Sequence, residues 1–231
     1  MIKKEKILVI AAHPDDEVLG CGGSMHKWAN QGKEVNVLII AEGVTSRDNV
    51  RERKKRSKEL DKLKDSALKA NQILGVKSIK LLDFPDNRLD SVDLIEVVKS
   101  IEKYISKLNP NIIVTHHSND LNVDHKIVND AVFTACRPKV GNKVRKILSF
   151  EVPSSTEWAS PSSAKFFAPN YFENISENLE YKINALKFYE SEMLPWPNSR
   201  SIDAVKHLAS WRGASIGCDA AEAFMLLREI N

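Results

Sequence analysis

The sequence predicts an α/β fold: a Rossmann-like three-layer α/β/α arrangement with a mainly parallel sheet and an elaborated C-terminal third. Short β-branched runs recur along the first two-thirds of the chain, and segments of helical period lie between them. Such strand–helix–strand repetition implies right-handed crossovers, and hence parallel strands. The length of 231 residues, with 42% hydrophobic and 28% charged, suits one globular domain over 1–231, with a core of about 1–152 and an elaboration of about 153–231.

The elements follow in order. Residues 7–12 and 35–40 read as strands buried on both faces, and 79–82 and 112–115 repeat the pattern. Helices are expected over 17–31, 51–74 and 91–108, ended by Gly32, Gly75 and Asn109-Pro110. Past Asp124 a helix is expected to about Ala135, then a strand at 147–152. Residues 153–169, rich in Ser and Pro, read as a long surface loop suited to a lid or an interface. Helices at 177–190 and 203–211 precede a closing segment, 219–229. Ligands of such sheets sit beyond the carboxyl ends of the strands, so function is expected in the loops after Ala12, Ile40, Leu82 and Thr115.

A net charge of +3, from 34 basic and 31 acidic residues, gives no case for nucleic acid. Between Arg47 and Asp65 nine Lys/Arg face five Asp/Glu, which reads as a solvated helix ahead of an anion-attracting rim. No apolar run approaches the roughly 18–20 residues of a membrane span, and residues 7–12 are too short for the core of a signal peptide. Cys21, Cys136 and Cys218 are few, odd in number and far apart, so a reducing, cytoplasmic setting is expected.

His13-Pro14-Asp15-Asp16-Glu17 leaves the first strand at the ligand-binding edge. An imidazole and a carboxylate three residues apart can grip one divalent cation, and Pro14 stiffens the turn. Of two adjacent carboxylates, one can bind metal while the other stays free as a base. The competing reading is an ordinary helix start, with Asp15 or Asp16 as the cap. Gly20-Cys21-Gly22-Gly23 comes too late for a dinucleotide fingerprint, so close packing or a broken helix is expected, with Cys21 a buried thiol.

Leaving the fourth strand, the run from Thr115 to His125 brings a second polar cluster to the same edge. Two His and one carboxylate, with a position open for water, make a hydrolytic zinc centre. A neighbour such as Asp124 can fix the His125 ring, while spacing does not rank His116 against His117. The loops after strands two and three offer Thr45, Ser46, Arg47, Asp86, Asn87 and Arg88 to a substrate. Trp196 and Trp211 read as core aromatics ahead of sugar platforms.

His13-Pro14-Asp15-Asp16-Glu17, Gly22-Gly23 and Asn122-Val123-Asp124-His125 together resemble the LmbE-like, or PIG-L, deacetylase family, and Arg212-Gly213 and Ala221-Glu222-Ala223-Phe224 are similar to its C-terminal pattern. The resemblance implies a hydrolase that removes acetyl from an N-acetylated amino sugar of GlcNAc type, nucleotide- or lipid-linked forms included. It implies one Zn²⁺ per chain, with other divalent metals open, held by His13, Asp16 and His125. Asp15 is then the general base and Asp124 supports a histidine or the metal shell. Asn122 stands where the family often has His, so it can donate to an oxyanion but pass no proton. Protonation of the leaving amine then falls to Asp15, His116 or His117. The family's frequent arginine before Leu74-Gly75 is replaced here by Lys62-Leu63-Lys64, and Arg47 is taken as the substrate-facing cation instead. Expected substrate contacts are thus Arg47, His116, His117, Asp86, Asn87 and Arg88. Rival readings are hydrolysis of another amide or an ester, and a non-enzymatic metal- or carbohydrate-binding domain. The expected partner is a small amino sugar, with neither nucleic acid nor a membrane span, and a homo-oligomer is compatible with the sequence.

Overall fold

The computed structural model describes residues 4–160 and 166–231. The β-branched runs form β1 (Lys6–Ala11), β2 (Glu34–Ala41), β3 (Ser78–Phe84), β4 (Ile112–His116) and β5 (Lys146–Phe150), and β6 (Tyr171–Asn174) and β7 (Ala221–Glu229) follow. They make one sheet in the order β3-β2-β1-β4-β5-β7-β6. The first five strands are parallel, and β7 runs antiparallel to both β5 and β6. The closing segment is therefore a strand, and β6 is one the sequence pattern does not mark.

Six helices cover the sheet: α1 (Asp16–Asn30), α2 (Ser57–Ile73), α3 (Leu94–Leu108), α4 (Val123–Ala135), α5 (Leu179–Leu186) and α6 (Ile202–Ala214). The period of two along β1 sorts them into layers. Ile7, Val9 and Ala11 pack with Val18, Met25, Leu63, Ala70 and Ile183 on one face, whereas Leu8 and Ile10 pack with Val97, Ile101, Val128 and Val132 on the other. A strand apolar at every position is what two helical layers require.

Helix α2 begins at Ser57 rather than at Arg51, and the basic residues ahead of it are held by acids of the loop after β2 and of the helix's own first turn. Arg51 and Arg53 pair with Glu42, and Arg56 pairs with Asp48 and Glu59. The basic excess is thus largely a set of ion pairs that pin the loop after β2, rather than one solvated helical face.

Helix α1 is broken at Cys21, where φ is −150° and ψ is 25°. The break restarts the helix with two bare amides, and Glu222 of β7 receives both: Gly23 N–H donates to Oε1 at 3.0 Å and Ser24 N–H to Oε2 at 2.7 Å. A Cβ at Gly20 would fall within the Phe150 ring, and one at Gly23 would strike Ile175. The glycines thus serve close packing around a broken helix, with Cys21 buried between. Buried Lys182 completes the cluster, with Nζ 2.6 Å from Glu222 Oε1 and 2.8 Å from the Leu19 carbonyl. Glu222→Ala strands that ammonium and both amides, so chemical denaturation should show a loss of about 3–5 kcal/mol. A loss below about 1 kcal/mol would mean that the cluster is not a structural lock.

β1 lies between β2 and β4, so strand order reverses there and a crevice opens beyond the carboxyl ends of β1 and β4.

Candidate active site

All four loops singled out by the sequence meet in a cleft of about 550 Å³. The loop after β1 brings His13, Pro14 and Asp15; that after β2 brings Val44, Ser46 and Arg47; that after β3 brings Asp86 and Asn87; and that after β4 brings Leu121, Asn122 and His125. The C-terminal part adds Ser154, Ser155, Trp158, Glu192 and Arg200.

At the floor, donor atoms of His13, Asp16 and His125 lie within 4.8 Å of one another. Asp16 Oδ1 and His125 Nε2 are buried without a hydrogen bond of good geometry, and what they have are looser contacts, Nε2 3.2 Å from Asp16 Oδ2 and Oδ1 3.8 Å from Arg200 Nη2. A buried polar atom so poorly paired is costly, and a cation would satisfy both. The donor set therefore fits a divalent metal. A second grouping, His13 with Asp86 and Asp124, is also within reach of one ion. Its carboxylates are already occupied. Asp124 accepts from the backbone amides of Asn87 (2.7 Å) and Leu89 (2.9 Å), and Asp86 from Ser46 N–H and the Asn87 side chain.

Both histidines are oriented from behind. His13 has Nε2 3.0 Å from Asp124 Oδ2, which leaves Nδ1 on the Asp16 side at 3.2 Å. His125 has Nδ1 3.2 Å from Asp120 Oδ1 and Nε2 3.2 Å from Asp16 Oδ2. Asp120 is fixed in turn by the Ser155 and Thr156 hydroxyls. Carboxylate–histidine pairs of this kind set tautomer and ring direction. Burial disfavours the imidazolium of His125, but Asp16 and Asp120 outweigh it and lift its pKa to about 9. Burial likewise opposes charge on His13, and Asp124 and Asp16 reverse it, so its pKa is raised. These shifts record an excess of buried negative charge at the floor.

Asp15 stands beside this cluster at φ 118°, a conformation L residues rarely adopt. Its side chain does not cap α1. Instead Glu17 accepts the Asp15 amide at 3.0 Å while Tyr189 and Asn71 hold the Glu17 carboxylate from below. The acidic run is thus no ordinary helix start: Glu17 buttresses the turn, Asp16 faces the histidines and Asp15 faces the cleft. Arg200 Nη1 donates to Asp15 Oδ2 at 2.9 Å, and Oδ1 has no hydrogen bond among the described residues. Burial pushes the Asp15 carboxyl well above its usual pKa, with Arg200 opposing.

Asn122 caps α4, its Oδ1 accepting from Asp124 N–H at 2.8 Å. That fixes the amide so that Nδ2 projects toward the cleft, where it reaches Asn87 Oδ1 at 2.8 Å.

Three expected substrate contacts do not reach the cleft. His116 is wholly buried, accepting Ala12 N–H at Nε2 (2.8 Å) and stacking on His125 at 3.9 Å between ring centroids, so its role is to pack the floor. His117 is buried edge-on against Phe167. Arg88 turns away to the Asp48 and Asn49 carbonyls and braces the loop after β2. Arg47 does line the rim, with its Nη2 engaged by Glu192. Trp196 and Trp211, expected in the core, are 57% and 68% exposed and lie outside the cleft. The aromatic at the mouth is Trp158, 53% exposed. Residues 161–165 of the expected long loop fall outside the described residues. All three cysteines are free, and no described helix is long and apolar enough to cross a membrane.

A family model for PIG-L, GlcNAc-PI de-N-acetylase, matches residues 8–136. The chain is 31% identical over 195 residues to the uncharacterized deacetylase YaiS of Escherichia coli (strain K12), covering 82% of this chain and 92% of that one. It is 30% identical over 200 residues to the diacetylchitobiose deacetylase of Thermococcus kodakarensis, covering 81% and 70%. Its fold is similar to that of the conserved protein TT1542 from Thermus thermophilus, with a TM-score of 0.77, 21% identity and coverage of 97% and 96%.

Proposed function

Since the chain belongs to the PIG-L, GlcNAc-PI de-N-acetylase family, we propose that it is a zinc-dependent hydrolase removing acetyl from an N-acetylated amino sugar. The observation that carries this is the His13–Asp16–His125 donor set, with two of its buried atoms lacking a hydrogen bond of good geometry and a buttressed Asp15 beside it. His13, Asp16 and His125 hold the metal, which when bound supplies Lewis acidity that lowers the pKa of water from 15.7 to about 7. Asp15 Oδ1 accepts the proton of the attacking water, and Arg200 keeps the carboxylate aimed by holding Oδ2. Burial raises the Asp15 pKa, the direction that suits a group that later returns the proton to the leaving amine. The cap fixes Asn122 so that Nδ2 can donate to the oxyanion of the tetrahedral intermediate, an interaction worth ~3 kcal/mol where it is well placed. Asp124 and Asp120 keep the two rings in the tautomers that ligation needs.

Metal per chain by elemental mass spectrometry, with amine release from N-acetylglucosamine and N,N′-diacetylchitobiose, tests this reading. About one zinc per chain and metal-dependent amine release are expected. A chain that refuses zinc, or a zinc-loaded chain that releases no amine, removes it.

Trp158 and Leu121, both 53% exposed, offer an apolar platform at the mouth. A pyranose ring lying on Trp158 predicts that Trp158→Ala raises KM about fivefold and changes kcat less. Steady-state kinetics with diacetylchitobiose checks it, and an unchanged KM would take the ring elsewhere.

A further inference from the structure

Nothing in the described cleft presents an unpaired guanidinium. Its arginines are Arg47 and Arg200. Arg200 serves Asp15. Arg47 Nη2 donates to both Glu192 oxygens, at 2.9 and 3.0 Å. Glu192 is not a loose surface partner. Its amide donates to the Tyr189 carbonyl at 2.8 Å, Ser191 Oγ donates to its Oε1 at 3.0 Å, and its side chain is largely buried whereas that of Arg47 is not. The carboxylate is therefore the fixed member, and the guanidinium comes to it across the mouth.

Resting on the deacetylase reading above, we propose that Glu192 is a specificity-determining residue: it occupies Arg47 and restricts the cleft to uncharged N-acetyl amino sugars. A phosphate or carboxylate brought to Arg47 would lie against the Glu192 carboxylate, and like charges set together across a binding surface reject a partner. Asp86 also lines the cleft and adds to that field. Sugar hydroxyls meet no such penalty, because each both donates and accepts, and an Arg–Glu pair offers both.

The test is kcat/KM of the zinc-loaded chain for methyl N-acetylglucosaminide and for N-acetylglucosamine 1-phosphate, read as a ratio by amine release. The native chain is expected to prefer the uncharged sugar by about tenfold or more, and Glu192→Gln to shrink that preference about tenfold, less so at high salt. A merely structural Glu192 would lower both values together and leave the ratio alone. Should Glu192→Gln not fold, the native chain carries the test through ionic strength. Repulsion of the phosphate is screened by salt, so the preference for the uncharged sugar is expected to shrink as salt rises, and a preference that grows with salt, as it would if Arg47 were free to attract the phosphate, overturns the proposal. A native chain that favours the phosphate, or an unmoved ratio in Glu192→Gln, also overturns it while leaving the deacetylase standing. Turnover of neither sugar removes both.

Discussion

His125→Ala is expected to take the chain from about one bound zinc to near none and to bring amine release to background, with the fold intact by circular dichroism. His125 is one of three donors within reach of a single ion, and two remaining ligands do not make a closed zinc site. Losing the ring also leaves Asp120 without its imidazole partner, yet Ser155 and Thr156 still hold that carboxylate, so the cost to folding stays modest. Asp120→Asn separates the donor from its support. All three donors remain, but Nδ1 loses its carboxylate acceptor, and metal affinity should fall about 10–100-fold without being abolished. Zinc loading should also raise the melting temperature of the native chain by mass action, about 4 kcal/mol when free zinc exceeds its Kd a thousandfold. His125→Ala should lose that increment. If it keeps stoichiometric zinc and its thermal increment, the ligand set is elsewhere, and His13 with Asp86 and Asp124 becomes the centre to examine.

The central parallel strands are legible in the sequence because a strand covered on both faces is apolar along its length, and such runs stand out; β3, expected to be buried in the same way, is an edge strand that exposes Ser78, Lys80 and Asp83. The rest of the sheet gives no such signal. β6 is four residues long, Tyr-Phe-Glu-Asn, and its partner β7 lies about fifty residues along the chain. The floor of the site is legible for a related reason. His13 to Glu17 and Asn122 to His125 are short runs, each of which sets imidazole and carboxylate close together beyond the end of a strand. The sequence pointed to a supporting role for Asp124 but did not name His13 as its partner, since that contact spans 111 residues. It also took His116 and His117 for cleft residues, whereas the end of β4 turns one under the floor and the other against Phe167. Arg200 and Glu192 carry no local signal at all. They stand in the irregular stretch between α5 and α6, and only the tertiary docking of that stretch brings Arg200 to Asp15 and Glu192 to Arg47.

Asp15→Asn is expected to keep zinc and to lose between about a hundredfold and ten-thousandfold in kcat, the range for removing a positioned general base. Asn is the informative substitution. It preserves shape, it can still accept the Arg200 hydrogen bond through its amide oxygen, and it tolerates positive φ better than most residues, so the turn at φ 118° is not forced to rearrange. What it cannot do is take a proton. Asp15→Ala would confound that loss with an unpaired guanidinium and a relaxed turn. Arg200→Ala supplies the complementary measurement, because the carboxylate remains while its aim is lost. Its kcat should fall by less than that of Asp15→Asn, and added guanidinium should restore part of it, which a purely structural role for Arg200 would not allow. The comparison also bears on the leaving amine. Neither His116 nor His117 is among the described residues that line the cleft, so in the proposed mechanism Asp15 both takes the proton and returns it, and Asp15→Asn should abolish both halves of that cycle together. Zinc-loaded Asp15→Asn with a kcat within about threefold of native would remove Asp15 as the base and leave the buttress beneath it without a catalytic reason.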